Sequence, residues 1–207
     1  MTRKEPSDTV DQAVKPSGPI GRVMGFLMGR MNSAQNRVTV RALEIPDGAS
    51  ILEIGFGPGR GLAQIAAETK AAQIDGIDHS ALMVDTARRH NRAAIKSGRM
   101  SIAEDDIGHL KAANNTYDIC FAVNNFQQWP YQAQGIAEME RVLKPGGRAC
   151  LSIRVPKRDT GIETVQHTRK TVSCADDLLE KAGFRDIETI EHDLGQRFAV
   201  LIIGTKP

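Results

Sequence analysis

Ile51-Leu-Glu-Ile-Gly55-Phe-Gly57-Pro-Gly59-Arg-Gly61 is the stretch on which the fold turns. An apolar pentad, Ser50–Ile54, follows the turn signal Pro46-Asp47-Gly48 and reads as a short buried strand. Gly61–Thr69 carries helical spacing. A strand that runs through closely spaced glycines into a helix is the setting of a ligand-binding loop, because glycine lets a ligand approach the backbone.

The glycine register selects among ligands. A dinucleotide loop needs G-x-G-x-x-G, but the sixth position is Arg60 counted from Gly55 and Leu62 counted from Gly57. A phosphate loop needs Gly-Lys-Ser/Thr after the glycines, where this chain has Arg60-Gly61-Leu62. What fits is acid-x-Gly-x-Gly-x-Gly, with Glu53 as the acid.

Outward from the loop, short apolar runs alternate with amphipathic ones. Strands are predicted at Gln73–Ile77, Met100–Ala103, Tyr117–Val123 and Arg148–Val155, with helices over Ser80–Ser97 and Tyr131–Leu143. This alternation predicts an α/β fold with a parallel sheet covered on both faces. A last helix opens at Ser173-Cys-Ala-Asp176 and closes at Gly183. Ile187–Asp193 and Arg197–Gly204 then follow without room for a crossover, so the final strand runs antiparallel. Ahead of the loop, residues 1–18 read as a flexible tail. Residues 19–45 read as a helical lid or cap, and 46–207 as the binding domain.

Composition narrows the classes. Of 207 residues, 41% are hydrophobic and 25% charged, which suits a globular domain. A net charge of +2 without a long basic run gives no electrostatic case for nucleic acid. No apolar stretch is long enough for a transmembrane segment, and no signal peptide is legible, so a cytoplasmic protein is expected. The three cysteines, Cys120, Cys150 and Cys174, match neither a disulfide framework nor a zinc spacing. Cys120 and Cys150 fall in predicted strands and read as inert buried thiols. The five histidines have no metal-ligand spacing, and no metal is expected.

The glycine stretch resembles motif I of the class I S-adenosylmethionine (SAM)-dependent methyltransferases. Ile74-Asp-Gly-Ile-Asp78-His-Ser-Ala-Leu-Met83 resembles the second motif, about twenty residues on, where a carboxylate binds ribose hydroxyls. Asp105-Asp106-Ile107, Asn124 to Trp129, and Arg141-Val-Leu-Lys-Pro-Gly-Gly147 follow at family spacing. The likeness is best to the type 11 group around the ubiquinone and menaquinone biosynthesis methyltransferases. It implies a Rossmann-like seven-stranded sheet, mostly parallel, in the order 3-2-1-4-5-7-6 with the last strand antiparallel.

For function, the resemblance implies methyl transfer from SAM, leaving S-adenosylhomocysteine, to a small acceptor. The apolar helical face of Met24, Leu27, Met28 and Met31, with Phe26 beside it, leads to the expectation that this acceptor is partly apolar. The cofactor residues it implies are Glu53, Gly55, Gly57, Gly59, Asp78, His79, Met83, Asp106, Ile107 and Asn124. Phe26, Met28, Trp129 and His167 are the acceptor-side candidates, with Trp129 equally readable as a core anchor. No catalytic base is legible, since Gln128 stands where many relatives carry histidine. That gap leaves a non-catalytic SAM-binding relative as the alternative. The methylated atom, the acceptor and a homodimer are all left open.

Overall fold

The computed structural model describes residues 33–159 and 164–207. Thus the expected tail, most of the expected lid, Phe26 and Met28 lie outside the described residues. The described chain begins with α1 (Ser33–Ala42) and β1 (Ser50–Ile54), then α2 (Arg60–Glu68) and β2 (Gln73–Asp78). Next come α3 (Ala81–His90), α4 (Arg92–Lys96), β3 (Met100–Glu104) and β4 (Tyr117–Val123). A 3-10 turn, Phe126–Gln128, leads to α5 (Gln132–Val142), β5 (Leu143–Pro156), α6 (Val165–Lys181), β6 (Arg185–Asp193) and β7 (Arg197–Thr205).

All seven strands join one sheet in the order β3-β2-β1-β4-β5-β7-β6. The pairs from β3 to β5 are parallel, while β7 runs antiparallel to both β5 and β6. Both expectations, strand order and the reversed last strand, hold.

The alternation of strand side chains divides the core in two. Ile51, Ile74 and Phe121 face Val40 of α1, Leu62 and Ile65 of α2, and Val84 and Ala87 of α3. Leu52, Cys120 and Leu151 face Ile136 and Met139 of α5 and Ala175 and Leu179 of α6. Glu53 shares the face of Ile51 and so lies beneath the α2 side. Arg99 fastens that side at its far end: its guanidinium donates to the carbonyls of Ala66, Thr69 and Ala71 at 2.7, 2.5 and 2.7 Å. The Ala66 and Thr69 carbonyls are left open by the α2 C-terminus, and Ala71 follows in the loop to β2. Among the described residues, no helix is long and apolar enough to cross a membrane.

Three boundaries differ from the sequence pattern by more than two residues. The helix expected over 80–97 breaks at Asn91, whose Nδ2 donates to the Ala87 carbonyl (2.9 Å) and reaches the Gly59 carbonyl (3.1 Å). An asparagine amide that competes for helix carbonyls ends the helix locally. The last helix begins at Val165 instead of Ser173, because Thr164 caps it by accepting from the His167 N–H at 3.1 Å. Strand β5 starts at Leu143, paired with Tyr117 across a register shift, and not at Arg148.

Candidate cofactor site

The strand order reverses between β1 and β4, so ligands of this fold class belong in the crevice outside their carboxyl ends. The glycine loop rises there. Gly55, Gly57 and Gly59 all have positive φ (66°, 55° and 76°), a region that side chains rarely enter.

The three glycines are demanded for different reasons. A Cβ on Gly55 would lie 2.3 Å from Asn125 Nδ2, and one on Gly59 would lie 2.6 Å from Ala87 Cβ. Among the described residues, a Cβ on Gly57 would meet nothing within 4 Å. Two glycines therefore allow the protein to close on the loop, while the space over the third is open.

Two carboxylates flank the loop. Asp78 ends β2 and is 6% exposed; its Oδ2 accepts from the Gly57 N–H and its Oδ1 from the Ser80 N–H, each at 2.9 Å. Ser80 precedes α3 but makes no side-chain cap bond. Burial pushes the Asp78 carboxyl above its ordinary range, against the pull of those two N–H groups. Glu53 is deeper still. Burial and then repulsion from Asp78 push it up to about 8, opposed by the Leu62 backbone N–H at the start of α2. Among the described residues, its Oε2 is buried without a hydrogen-bond partner.

A buried carboxylate oxygen with no donor is costly, and a cationic ligand bearing N–H groups removes that cost. The methionyl end of SAM is such a ligand, whereas the pyrophosphate of a dinucleotide brings no ammonium to ionise Glu53 and would be repelled by the Asp78 carboxylate. The residues present fit SAM.

The remaining candidates fall into three groups. His79 is half-exposed beside Asp78, with Nδ1 3.8 Å from Oδ1. Asp106 and Ile107 follow β3 at the same edge; Asp106 is exposed and accepts from the Gly108 N–H, and Ile107 is half-buried. Asn124, at the end of β4, has φ 57° and its Oδ1 accepts from the Arg154 N–H of β5. The second group is interior: Met83 is packed in the α2–α3 core, and Trp129 is 8% exposed in the α5–α6 core. Trp129 makes an edge-on contact with Phe126, the ring centroids 5.3 Å apart. The last group is His167 alone, exposed in the first turn of α6.

Three residues that hold the loop escaped the sequence reading. Asn125 donates through Nδ2 to the carbonyls of Ile54 and Gly55. Asn91 reaches the Gly59 carbonyl, and His90 Nδ1 lies 2.9 Å from the Pro58 carbonyl. The doubled asparagine after β4 was the available signal, but only contact with β1 distinguishes the second from the first. The buried Cys120 and Cys150 thiols are pushed up by desolvation, Cys150 to about 12, as suits inert core thiols.

Comparison with known proteins agrees with this architecture. Residues 51–147 match the model of a family described as a methyltransferase domain. The chain is 30% identical over 188 residues to an uncharacterized methyltransferase, YdaC, of Bacillus subtilis, covering 89% of this chain and 98% of that one. It is 30% identical over 136 residues to the ubiquinone/menaquinone biosynthesis C-methyltransferase UbiE of Geotalea daltonii, but there it spans only 55% of the relative's length. Among solved structures, phosphoethanolamine N-methyltransferase 2 of Haemonchus contortus, in complex with SAM, superposes with a TM-score of 0.69 at 18% identity. That match covers 84% of this chain and 53% of the other. The likeness to YdaC covers most of both proteins, and the chain belongs to the class I SAM-dependent methyltransferases, with SAM as its cofactor.

Proposed function

We propose that the protein transfers the SAM methyl group to a small-molecule acceptor by in-line displacement. The observation that carries this reading is the pair of buried carboxylates, Glu53 and Asp78, on either side of a glycine turn with open space above Gly57. SAM supplies a methyl group already activated on sulfonium sulfur, with a neutral thioether as leaving group.

In this reading Glu53, through its unpartnered Oε2, faces the methionyl ammonium. The Asp78 carboxylate takes the ribose hydroxyls, with His79 beside it. Gly55, Gly57 and Gly59 present the loop backbone, and Asp106 and Ile107 flank the adenine at the end of β3. Met83 backs that pocket from the core side, and Asn124 closes it from β4. The chain's own contribution to the chemistry is to align donor and acceptor and to exclude water. No residue is assigned as a base, and an acceptor that reacts as a thiolate or neutral amine needs none. Trp129, packed from below, and the exposed His167 stand on the acceptor side of the same sheet edge.

Titration calorimetry of the full chain with S-adenosylhomocysteine, SAM and NAD tests the cofactor half. Saturable binding of the first two and none of NAD is expected, and tight NAD binding would sink the reading. A panel of small acceptors with methyl-labelled SAM tests the other half. Label transfer to protein or nucleic acid alone would overturn the small-molecule assignment, and binding without any transfer would favour a non-catalytic relative.

A further inference from the structure

Asn125 stands at the point where the sheet order reverses, with its amide lying across the gap between β1 and β4. Its Nδ2 donates to the Ile54 carbonyl at 2.8 Å and to the Gly55 carbonyl at 3.1 Å. Its Oδ1 accepts from the Trp129 indole N–H at 3.0 Å. One planar side chain thus bonds the first residues of the glycine loop on one side and the segment after β4 on the other.

The surroundings leave this amide little freedom. Any side chain at Gly55 would collide with it, since a Cβ there would sit 2.3 Å from Nδ2. Trp129 is fixed as well: its Cε3 lies 2.6 Å from where a Gly135 Cβ would be, and Phe126 meets it edge-on. Two glycines are therefore placed to let Asn125 down onto the loop and Trp129 down onto α5. A packed, fully bonded bridge transmits small displacements because it cannot absorb them.

We propose that Asn125 is a positioning residue, holding the glycine loop in register with the acceptor-side segment Phe126–Trp129, so that cofactor occupancy is felt at Trp129. The proposal rests on the reading of Gly55–Gly59 as the cofactor loop. When the Gly55 carbonyl moves to accommodate ligand, Nδ2 follows, and Oδ1 carries the movement to the indole N–H. The acceptor side is thereby set by whether cofactor is present, before any acceptor arrives.

Trp129 is the single tryptophan of the chain, so its emission and its one indole N–H resonance report on this position alone. Calorimetry with S-adenosylhomocysteine should run in parallel with Trp129 emission on the full chain. Matching saturation in both is expected for the wild type. Asn125→Asp keeps size and the acceptor for the indole but replaces the donor facing two carbonyls. It should weaken binding by about tenfold and abolish the emission change while far-UV dichroism stays the same. Wild-type heat without any change at Trp129 would overturn the proposal and leave the cofactor site standing; no heat at all would instead remove the cofactor reading. Unchanged emission response in a folded Asn125→Asp variant would also overturn it. Should that variant fail to fold, the wild-type indole N–H resonance decides: a shift on ligand binding supports the bridge, and a fixed resonance ends it.

Discussion

The Glu53 carboxylate occupies the space that a side chain at Gly61 would need. A Cβ on Gly61 would come within 2.6 Å of Oε1 and 2.8 Å of Oε2, well inside contact distance. Gly61 is thus glycine because the acid of the loop motif lies against the first turn of α2, under the Leu62 N–H. Gly61→Ala should push the carboxylate or the helix aside and destabilise the domain by ~1–3 kcal/mol, the usual cost of overpacking. Chemical denaturation of the unliganded protein measures it. A loss confined to cofactor affinity, with stability unchanged, would mean that the carboxylate can swing clear.

Gly57 predicts the opposite division of effects. A methyl group there has open space but must sit at φ 55°, which costs an alanine ~1–2 kcal/mol. Gly57→Ala should therefore remain folded, with only that modest loss, yet bind S-adenosylhomocysteine much more weakly because the methyl group fills the room left for it. Thermal unfolding and calorimetry on the same sample separate the two. Full affinity in Gly57→Ala would place the ligand elsewhere.

Glu53 gives the unliganded protein a pH signature. Its carboxyl stands at about 8 against an ordinary 4.5, so the folded state holds a proton that the unfolded chain releases. The stability linked to that proton is fully present below about 4.5 and is lost as pH rises through about 8. At ~1.36 kcal/mol per pH unit, the loss across the window is at most about 5 kcal/mol. Glu53→Gln should flatten this slope and leave the protein more stable than wild type above pH 8. Denaturation midpoints from pH 5 to 9 provide the check. At neutral pH, ligand binding should also release a proton, detectable as a heat that varies with buffer ionisation enthalpy, and Glu53→Gln should reduce it. A wild type whose stability is flat or rises across this range would show that Glu53 is ionised throughout.

The alternation of strands and helices was legible because its signals are local: strand runs, the glycine loop and a hairpin too short for a crossover. The order of the strands came from the family resemblance. The reversed β7 follows from spacing alone, without any knowledge of the family. Boundaries were less legible where a side chain from elsewhere decides them. The break at Asn91 depends on its amide reaching Gly59, 32 residues away. The early start of α6 depends on a threonine hydroxyl that only the folded turn aims at the His167 N–H. At the site, the glycine-loop motif singled out Glu53 and the family resemblance singled out Asp78, but neither could say that one is orphaned and the other doubly bonded. Trp129 read equally as ligand contact or core, and its burial against Gly135 is a fact of packing that no local pattern carries.

Asp78 provides the sharpest separation of roles, because both its oxygens already serve the protein. Asp78→Ala strips an acceptor from the Gly57 and Ser80 N–H groups and a charge from beside the glycine loop. Affinity for S-adenosylhomocysteine should fall ten- to a hundredfold, the worth of hydrogen bonds to a charged group at ~1.5–3 kcal/mol. Asp78→Asn keeps the shape but offers only one acceptor oxygen to two backbone donors, so its loss should approach that of alanine. Both variants also remove the negative charge that helps to push Glu53 upward. The proton held by Glu53 should then leave at lower pH, and the stability slope should move down the pH scale with it. Because the two carboxylates act on each other, the double variant Asp78→Asn with Glu53→Gln should not lose affinity by the product of the single losses. Calorimetry on the four proteins completes that cycle. Strict additivity would mean that the carboxylates act independently, and unchanged affinity in Asp78→Ala would take Asp78 out of the site altogether.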